Sequence, residues 1–438
     1  MVLKLLYAIF IISSYSLLAK DCKSIIALLS ESKERKARNL IETRAIQFFL
    51  ENTDPKTGMT LDRAPAFEKS PPSNTMASLG GTGFEMTVLA HAAQIGKLPT
   101  KTAEKYIENG LKFAASLQNY KGWLPHFVHW QTGKIVPHSE ISTIDTALFM
   151  AGALYAAKAF PNNTIINDLA QKLYRRLDFR DMMTNGGTKP EKRTVSMGWD
   201  PETKEYIKYE WDTYSEHMIL QILGLGHPDP KKRLPIEAWH AWKRQVIELP
   251  DGKKLMGADL PLFAHQYPWM WLDPKKFEID GIVPFENSKI ATLRDRELSK
   301  KDPRLSAFNL WGLSASDSAQ PEGYRAFRHG DGKGDPGDNV GTVCPGCAAA
   351  SMVFAPEAVL PYISELMKGP YKNKIVGRYG FADAFNPSKN WSGPDSLAIT
   401  IAPAYMSSVN LEDGSIWKTF NSIDSIIRGT EATREKNQ

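Results

Sequence analysis

The sequence predicts a single all-α domain built from helical hairpins closed into a ring, and three observations carry that prediction. Apolar residues recur at helical spacing from end to end, strand-type alternation is short and scarce, and no linker, fixed repeat or low-complexity block divides the chain. At 438 residues, roughly ten to twelve helices without a boundary belong to one domain, and hairpins closed into a ring suit that length. A spread of separate helical bundles is the alternative. A ring leaves long loops at one end, where function tends to sit.

The helices are expected at 34–51, with Ile41, Ala45, Phe48 and Phe49, and at 82–96, with Phe84, Val88, Leu89 and Ala92. Tyr106, Ile107, Leu111, Ala114 and Leu117 mark 102–118, and Ile144, Leu148, Ala151, Leu154 and Tyr155 mark 142–160. The same spacing predicts helices over 163–178, 211–225, 235–248, 284–300 and 356–368. Gly226 and Pro228 end the helix over 211–225.

Ahead of these, MVLKLLYAIFIISSYSLLAK reads as a secretory signal over residues 1–19, with Lys4 as its positive region and Leu5 to Leu18 as its apolar region. The domain is then 20–438, in a periplasmic or secreted, monomeric protein with no membrane association after cleavage. A hydrophobic fraction of 42% and a charged fraction of 24% are ordinary for a soluble protein. A net charge of +5 over the whole length gives no case for nucleic acid. Cys344 and Cys347 form CPGC, read as a structural disulfide or two free thiols, since the flanks are not those of a redox motif and zinc needs further ligands.

Chemistry is concentrated in acidic stretches rich in aromatic residues. In YEWDTYSEHMILQILGLGHP, Asp212 and Glu216 are four apart and share one face of the expected helix, among Tyr209, Trp211 and Tyr214. Aromatic rings stack on the apolar faces of pyranoses, and carboxylates handle the glycosidic oxygen and the water. Acidic side chains in a helix's first turn also have a purely structural use. SEISTIDTALFMAG supplies Glu140 and Asp145. Ser142 and Thr143 are candidate helix caps, whereas Asp145 lies inside an apolar run and needs a partner or a cleft.

His126, His129 and His138 match no metal-ligand spacing and are expected to hydrogen-bond a sugar or the backbone; no metal or organic cofactor is required. The segment 331–339, DGKGDPGDN, lacks the spacing of a calcium loop and is expected to be a flexible loop over the groove. HQYPWMWLD, WGLSASDSAQPEGYRAF and YGFADAFNPSKNW mix polar and aromatic residues in a way that suits carbohydrate, with Asp317, Tyr324, Arg325 and Asp383 as further binding candidates beside Glu140.

Taken in order, DPKTGMTLDR, GGTGFEMTVLAHAAQIGKLP, GWLPHFVHWQTGK, SEISTIDTALFMAGAL, WDTYSEHMILQILGLGHP, PLFAHQYPWMWLD, FENSKIATL, WGLSASD, GYRA, GTVCPGCAAASMVFAPE, YGFADAFNP and GSIWKTF resemble the glucoamylase-like domain family. That group includes glycoside hydrolase family 144, the endo-β-1,2-glucanases, and the likeness runs from about Arg44 to Lys418. The resemblance implies an (α/α)6 toroid and hydrolysis of β-linked, typically β-1,2-linked, glucan with inversion. It implies that Glu216 is the general acid, that Asp145 is a groove carboxylate, and that Trp123, Trp199, Trp211, Tyr214, His265, Gln266 and Tyr267 bind sugar.

The chain departs from the family pattern at Thr400 and Val409, where the family carries an aspartate and a glutamate. The water-activating base is therefore expected at Asp145 or at Asp395. The same departures leave open a transglycosylase, or a non-catalytic glucan-binding protein on an enzyme fold. A polysaccharide lyase would want Tyr or His bases and an Arg cluster, and the groove stretches are acidic and aromatic.

Overall fold

The structure is a computed structural model, and it describes residues 33–69, 74–183, 192–258, 260–330 and 338–434. The expected signal sequence lies outside the described residues, as do positions 331–337 of the acidic loop over 331–339. Among the described residues no helix is long and apolar enough to cross a membrane.

The helices are α1 (33–52), α2 (Leu79–Gln94), α3 (Thr100–Ser116), α4 (Thr143–Ala159), α5 (Thr164–Arg176), α6 (Met218–Leu225), α7 (Ile236–Ala241) and α8 (Pro284–Lys301). They continue with α9 (Pro303–Ser306), α10 (Pro345–Ala349), α11 (Pro356–Leu366), α12 (Lys372–Ile375), α13 (Ala398–Glu412), α14 (Ser415–Phe420) and α15 (Asp424–Ala432). Two kinds alternate. In α2, Leu79 to Ala93 are all buried, and α4, α6 and α13 are nearly as enclosed, so these are buried all round. In α3 only Ala103, Ile107, Gly110, Leu111 and Ala114 are buried, and in α5 only Ile166, Ala170, Leu173 and Tyr174: one stripe each, the mark of an outer helix.

The result is a toroid of alternating outer and inner elements. The inner set is α2, α4, α6, the buried 3-10 turns Leu262–His265 and Tyr267–Met270, α10 and α13. The last of these packs back on α2 and closes the ring. Because each inner element is separated from the next by an outer one, the inner elements run the same way and their N-termini gather at one end.

Short strands tie that end together. Met76–Ser78 pairs with Phe127–His129 just before α2, Ile141–Ser142 with Gly198–Asp200 just before α4, and Arg63–Pro65 with Asp395–Leu397 just before α13. The closest inner contact is between α2 and α4, where a Cβ on Gly152 would lie 1.8 Å from the Gly83 carbonyl oxygen. Only glycine permits backbones so near each other.

Most expected helices form within a few residues of their predicted ends, and two expectations are corrected. The helix predicted over 211–225 begins only at Met218. Upstream the backbone is committed elsewhere: the Trp211 amide donates to Val195 O at 2.8 Å and the Tyr214 amide to Lys243 O at 3.0 Å. Asp212 and Glu216 therefore do not share a helical face, and Asp212 is exposed. The helix predicted over 235–248 stops at Ala241, and Val246–Glu248 turns into a hairpin with Lys254–Met256. CPGC is closed as a Cys344–Cys347 disulfide at the start of α10.

Candidate active site

The N-terminal end of the inner ring gathers the acids. Asp145 is in the first turn of α4. The N-cap Ser142 accepts the Asp145 amide at 3.2 Å and donates its hydroxyl to Asp145 Oδ2 at 2.7 Å. The capping use of this cluster and its acidic use thus coexist, and a helix N-terminus favours the negative charge. Glu216 lies in the turn just ahead of α6, Asp395 in the strand just ahead of α13, and Tyr267 on the inner segment between α7 and α8.

One half of the cluster is centred on His126. Its Nδ1 is 3.0 Å from Glu140 Oε1 and its Nε2 is 3.5 Å from Asp145 Oδ2. Burial pushes the Asp145 carboxyl up, while His126 and the Ser142 hydroxyl pull it down; the net direction is upward. Burial also pushes Glu216 up, against a hydrogen bond from the Ser215 hydroxyl, and the Asp145 charge adds to the rise.

Arg63 organises the other half. It bonds Asp62 at 3.0 Å and Asp317 at 2.9 Å. The Asp317 amide donates to Asp383 Oδ2 at 2.8 Å, and the Thr400 hydroxyl to Asp383 Oδ1 at 2.9 Å. Burial, then the nearby Asp317 charge, pushes Asp383 up to about 7 despite those bonds. Burial raises Asp395 too, against the pull of Arg63. Tyr267 joins the halves: its hydroxyl donates to Ile399 O at 2.9 Å, and the charges of Asp383, Glu216, Asp145 and Asp62 all act on it. Tyr324, 45% exposed, lies close enough to Tyr267, Asp383, Asp62 and Arg63 to feel their charges.

Of the residues singled out in the sequence, the structure brings together Glu216, Asp145, Glu140, Asp395, Asp317, Asp383, Tyr267 and Tyr324. Arg325 is exposed beside Tyr324. Trp199 is partly buried next to the cluster, stacked on Tyr120 at 4.3 Å in a strand that pairs with Ile141.

Five expected sugar-binding residues are buried, with polar groups committed to partners within the protein. Trp123 is fully buried, its indole N–H given to Asp178 O. Trp211 gives its indole N–H to the Thr143 hydroxyl and stacks on His217. Tyr214 is buried against Trp242 and His265. His265 bonds Gly257 O, and Gln266 donates to Cys347 O and the Ser351 hydroxyl. Each polar atom so used holds inner segments together and has no face toward solvent.

Sequence reasoning passed over Asp62, Arg63 and Ser215, and read His126 only as a loop histidine. The signal for the first two was an adjacent Asp–Arg pair at the end of DPKTGMTLDR, legible only once its burial is known. His129 and His138 point elsewhere, His129 Nδ1 accepting the Gln131 and Thr132 amides and His138 facing Glu202. His126, Glu140 and Asp145 are the one group of candidate metal ligands among the described residues, with ligand atoms within 4.8 Å of one another. Both imidazole nitrogens already face carboxylate oxygens, so an imidazolium there answers the two charges by itself.

A ring of inner and outer helices with its carboxylates at one end defines the class: a glucoamylase-like toroid. Residues 208–424 match the family described as "Putative glucoamylase". It is 22% identical over 455 residues to the exo β-1,2-glucooligosaccharide sophorohydrolase (non-reducing end) of Parabacteroides distasonis. That alignment covers 94% of this chain, which spans 60% of the relative's length. The structure is similar to the endo-β-1,2-glucanase from Chitinophaga pinensis in complex with sophorotriose and glucose, with a TM-score of 0.80, 24% identity and coverage of 91% of this chain and 98% of that one. It is similar also to a β-1,2-glucanase from Parabacteroides distasonis, with a TM-score of 0.80, 19% identity and coverage of 92% and 60%. These likenesses establish the fold.

Proposed function

We propose that this protein is a glycoside hydrolase that cleaves β-linked glucan, β-1,2-glucan foremost, with inversion. The observation that carries the reading is the pairing of Glu216 with Asp145 at the open end of the ring. Burial raises both carboxyls, and among the described residues His126 faces Asp145 while no cationic group acts on Glu216. Glu216, with no cation to hold its charge, keeps a proton to give to the leaving glycosidic oxygen. Asp145, beside His126, stays ionised and draws the proton from the attacking water. An inverting pair of this kind stands about 6.5–9.5 Å apart, leaving room for that water.

Tyr324 and Trp199 offer rings to pyranose faces, and Arg63, Glu140 and Asp317 offer polar groups to hydroxyls. The β-1,2 linkage is taken from what the relatives are named for. The disulfide fits the oxidising compartment to which residues 1–19 would send the chain. Thr400, at a family aspartate position, serves Asp383 through its hydroxyl. Asp383 is fully buried with both oxygens bonded, so it orders the site and is not the base.

The test is a product assay. Linear β-1,2-glucan and β-1,3-, β-1,4-, β-1,6- and α-glucans are incubated with the wild-type protein and with Glu216→Gln. The expected result is shorter oligosaccharides of inverted anomeric configuration from one substrate, with the rate lowered roughly 10²–10⁴-fold in the variant. Binding without turnover in both proteins would sink the reading and leave a glucan-binding protein; longer products would mean transfer to sugar.

A further inference from the structure

We infer that the disulfide-closed turn at Cys344–Cys347 is a positioning element of the site, a strut behind its Arg63 half. Through Thr400 it sets Asp383, and through Asp383 it sets the Asp317–Arg63 pair. The effect on glucan rests on the hydrolase reading above; the strut itself does not.

The turn is tied on three sides to the segments that carry those residues. On the first, the Cys344 amide donates to Gly312 O at 2.9 Å, and Cys347 Sγ lies 3.9 Å from Ala315 O, just ahead of Asp317. On the second, Val343 and Phe385 exchange both backbone hydrogen bonds, at 3.0 and 2.9 Å, just beyond Asp383. The Thr342 hydroxyl adds to these ties, 2.7 Å from the Ser318 hydroxyl and 3.0 Å from Asn386 Nδ2. On the third, α10 packs on α13 and brings Gly346 against Thr400. A Cβ on Gly346 would lie 2.5 Å from Thr400 Cγ2. No positive φ calls for glycine there; the close approach does.

The place of Thr400 matters because its hydroxyl donates to Asp383 Oδ1. Asp383 is fully buried, and its other oxygen accepts the Asp317 amide. Losing either donor leaves a buried carboxylate oxygen unmatched, which is costly. The Asp317 backbone is thus fixed from Asp383, and the Asp317 carboxylate holds Arg63 at 2.9 Å. The cross-link holds the turn in its turn. Helix α10 has only five residues, too few to be stable alone. The disulfide joins its N-cap, Cys344, to Cys347 within it, and so fixes the backbone that carries Gly346.

Two readouts test this in the full chain. The first is hydrogen–deuterium exchange, read by mass spectrometry, in Cys344→Ser/Cys347→Ser. Peptides over 312–318 and 381–386 should exchange about tenfold faster than in the wild type, while α2 and α4 keep their protection. Equal loosening of every segment, or none in these two, overturns the strut, whatever the activity.

The second readout is kinetics on the glucan that is cleaved. Arg63 and Asp317 are read above as meeting sugar hydroxyls, away from the reacting oxygen, so disturbing them should act on KM. Gly346→Ala displaces Thr400 and should raise KM about tenfold with little change in kcat. Adding Thr400→Ser removes the methyl that the new Cβ meets and keeps the hydroxyl, and should bring KM back toward the wild-type value. A KM unmoved in Gly346→Ala, with only the melting temperature lowered, would mean a structural role and overturn the proposal. A KM that stays high in the double variant would overturn it too. If the wild type cleaves no glucan, the hydrolase reading fails and the exchange measurement alone decides the strut.

Discussion

Glu85 lies midway along α2, fully buried, with neither carboxylate oxygen hydrogen-bonded among the described residues. Burial pushes its carboxyl well above the ordinary 4.5, so in the folded protein it is a neutral acid. A folded value above the unfolded one means that the unfolded chain releases this proton first. The group therefore costs nothing ionic below about 4.5 and destabilises the fold increasingly as pH rises toward its folded value. Glu85→Met should raise the unfolding free energy by about 1–3 kcal/mol at pH 8 and by less at pH 5, measured by urea melts. His126 has the opposite sign. Its folded value lies above 6.5, so its ion pairs are fully present below 6.5 and are lost as pH rises through about 9. Glu140→Gln should flatten the fall in melting temperature over that window.

At the scale of the element, the inner helices are held by close backbone approach as much as by side chains. A Cβ at Gly83 would come 2.3 Å from Leu148 O, and one at Gly152 would come 1.8 Å from Gly83 O. Gly152→Ala gains helix propensity worth about 1 kcal/mol, yet it should destabilise the protein by about 3 kcal/mol or more, because α2 and α4 must part. Urea unfolding of the variant measures it; a neutral or stabilising outcome would contradict so tight a crossing. The same device seats α15 on α6, where a Cβ on Gly226 would lie 1.9 Å from Ser425 O.

For the whole molecule, the alternation of outer and inner elements makes the ring's two ends chemically different. One end collects the N-termini of the inner helices, with their partial positive charge, and there the carboxylates gather. The proposed reaction needs Asp145 ionised and Glu216 protonated. Both are raised above their ordinary values of 3.8 and 4.5, so both limbs of a bell-shaped kcat/KM profile should lie above those values. Activity falls on the acid side as Asp145 protonates and on the alkaline side as Glu216 loses its proton. Because the main apolar core runs from Ala45 to Ile426 around the ring, loss of one inner helix exposes its neighbours. Far- and near-ultraviolet circular dichroism should therefore report one coincident unfolding transition.

The sequence by itself determined the helical class, most helix positions and the two acidic stretches, because a buried helix writes its apolar period into local residues. It also carried Asp145 into view, since a carboxylate inside an apolar run is costly without a purpose, whereas Glu216 came from its aromatic, acidic stretch and from the family resemblance. The tertiary structure alone decided where the aromatic residues face. Trp123, Trp211 and Tyr214 read like a sugar platform in one dimension, but their polar groups meet Asp178, Thr143 and Asn287, distant in the chain. It alone broke the helix expected from 211, because Val195 and Lys243 claim that backbone. It alone joined Asp62 and Arg63 to Asp317 and Asp383, and set His126 between Glu140 and Asp145. The physical reason is the same in each case: helical period is a local property, whereas burial and charge pairing depend on what the ring brings alongside.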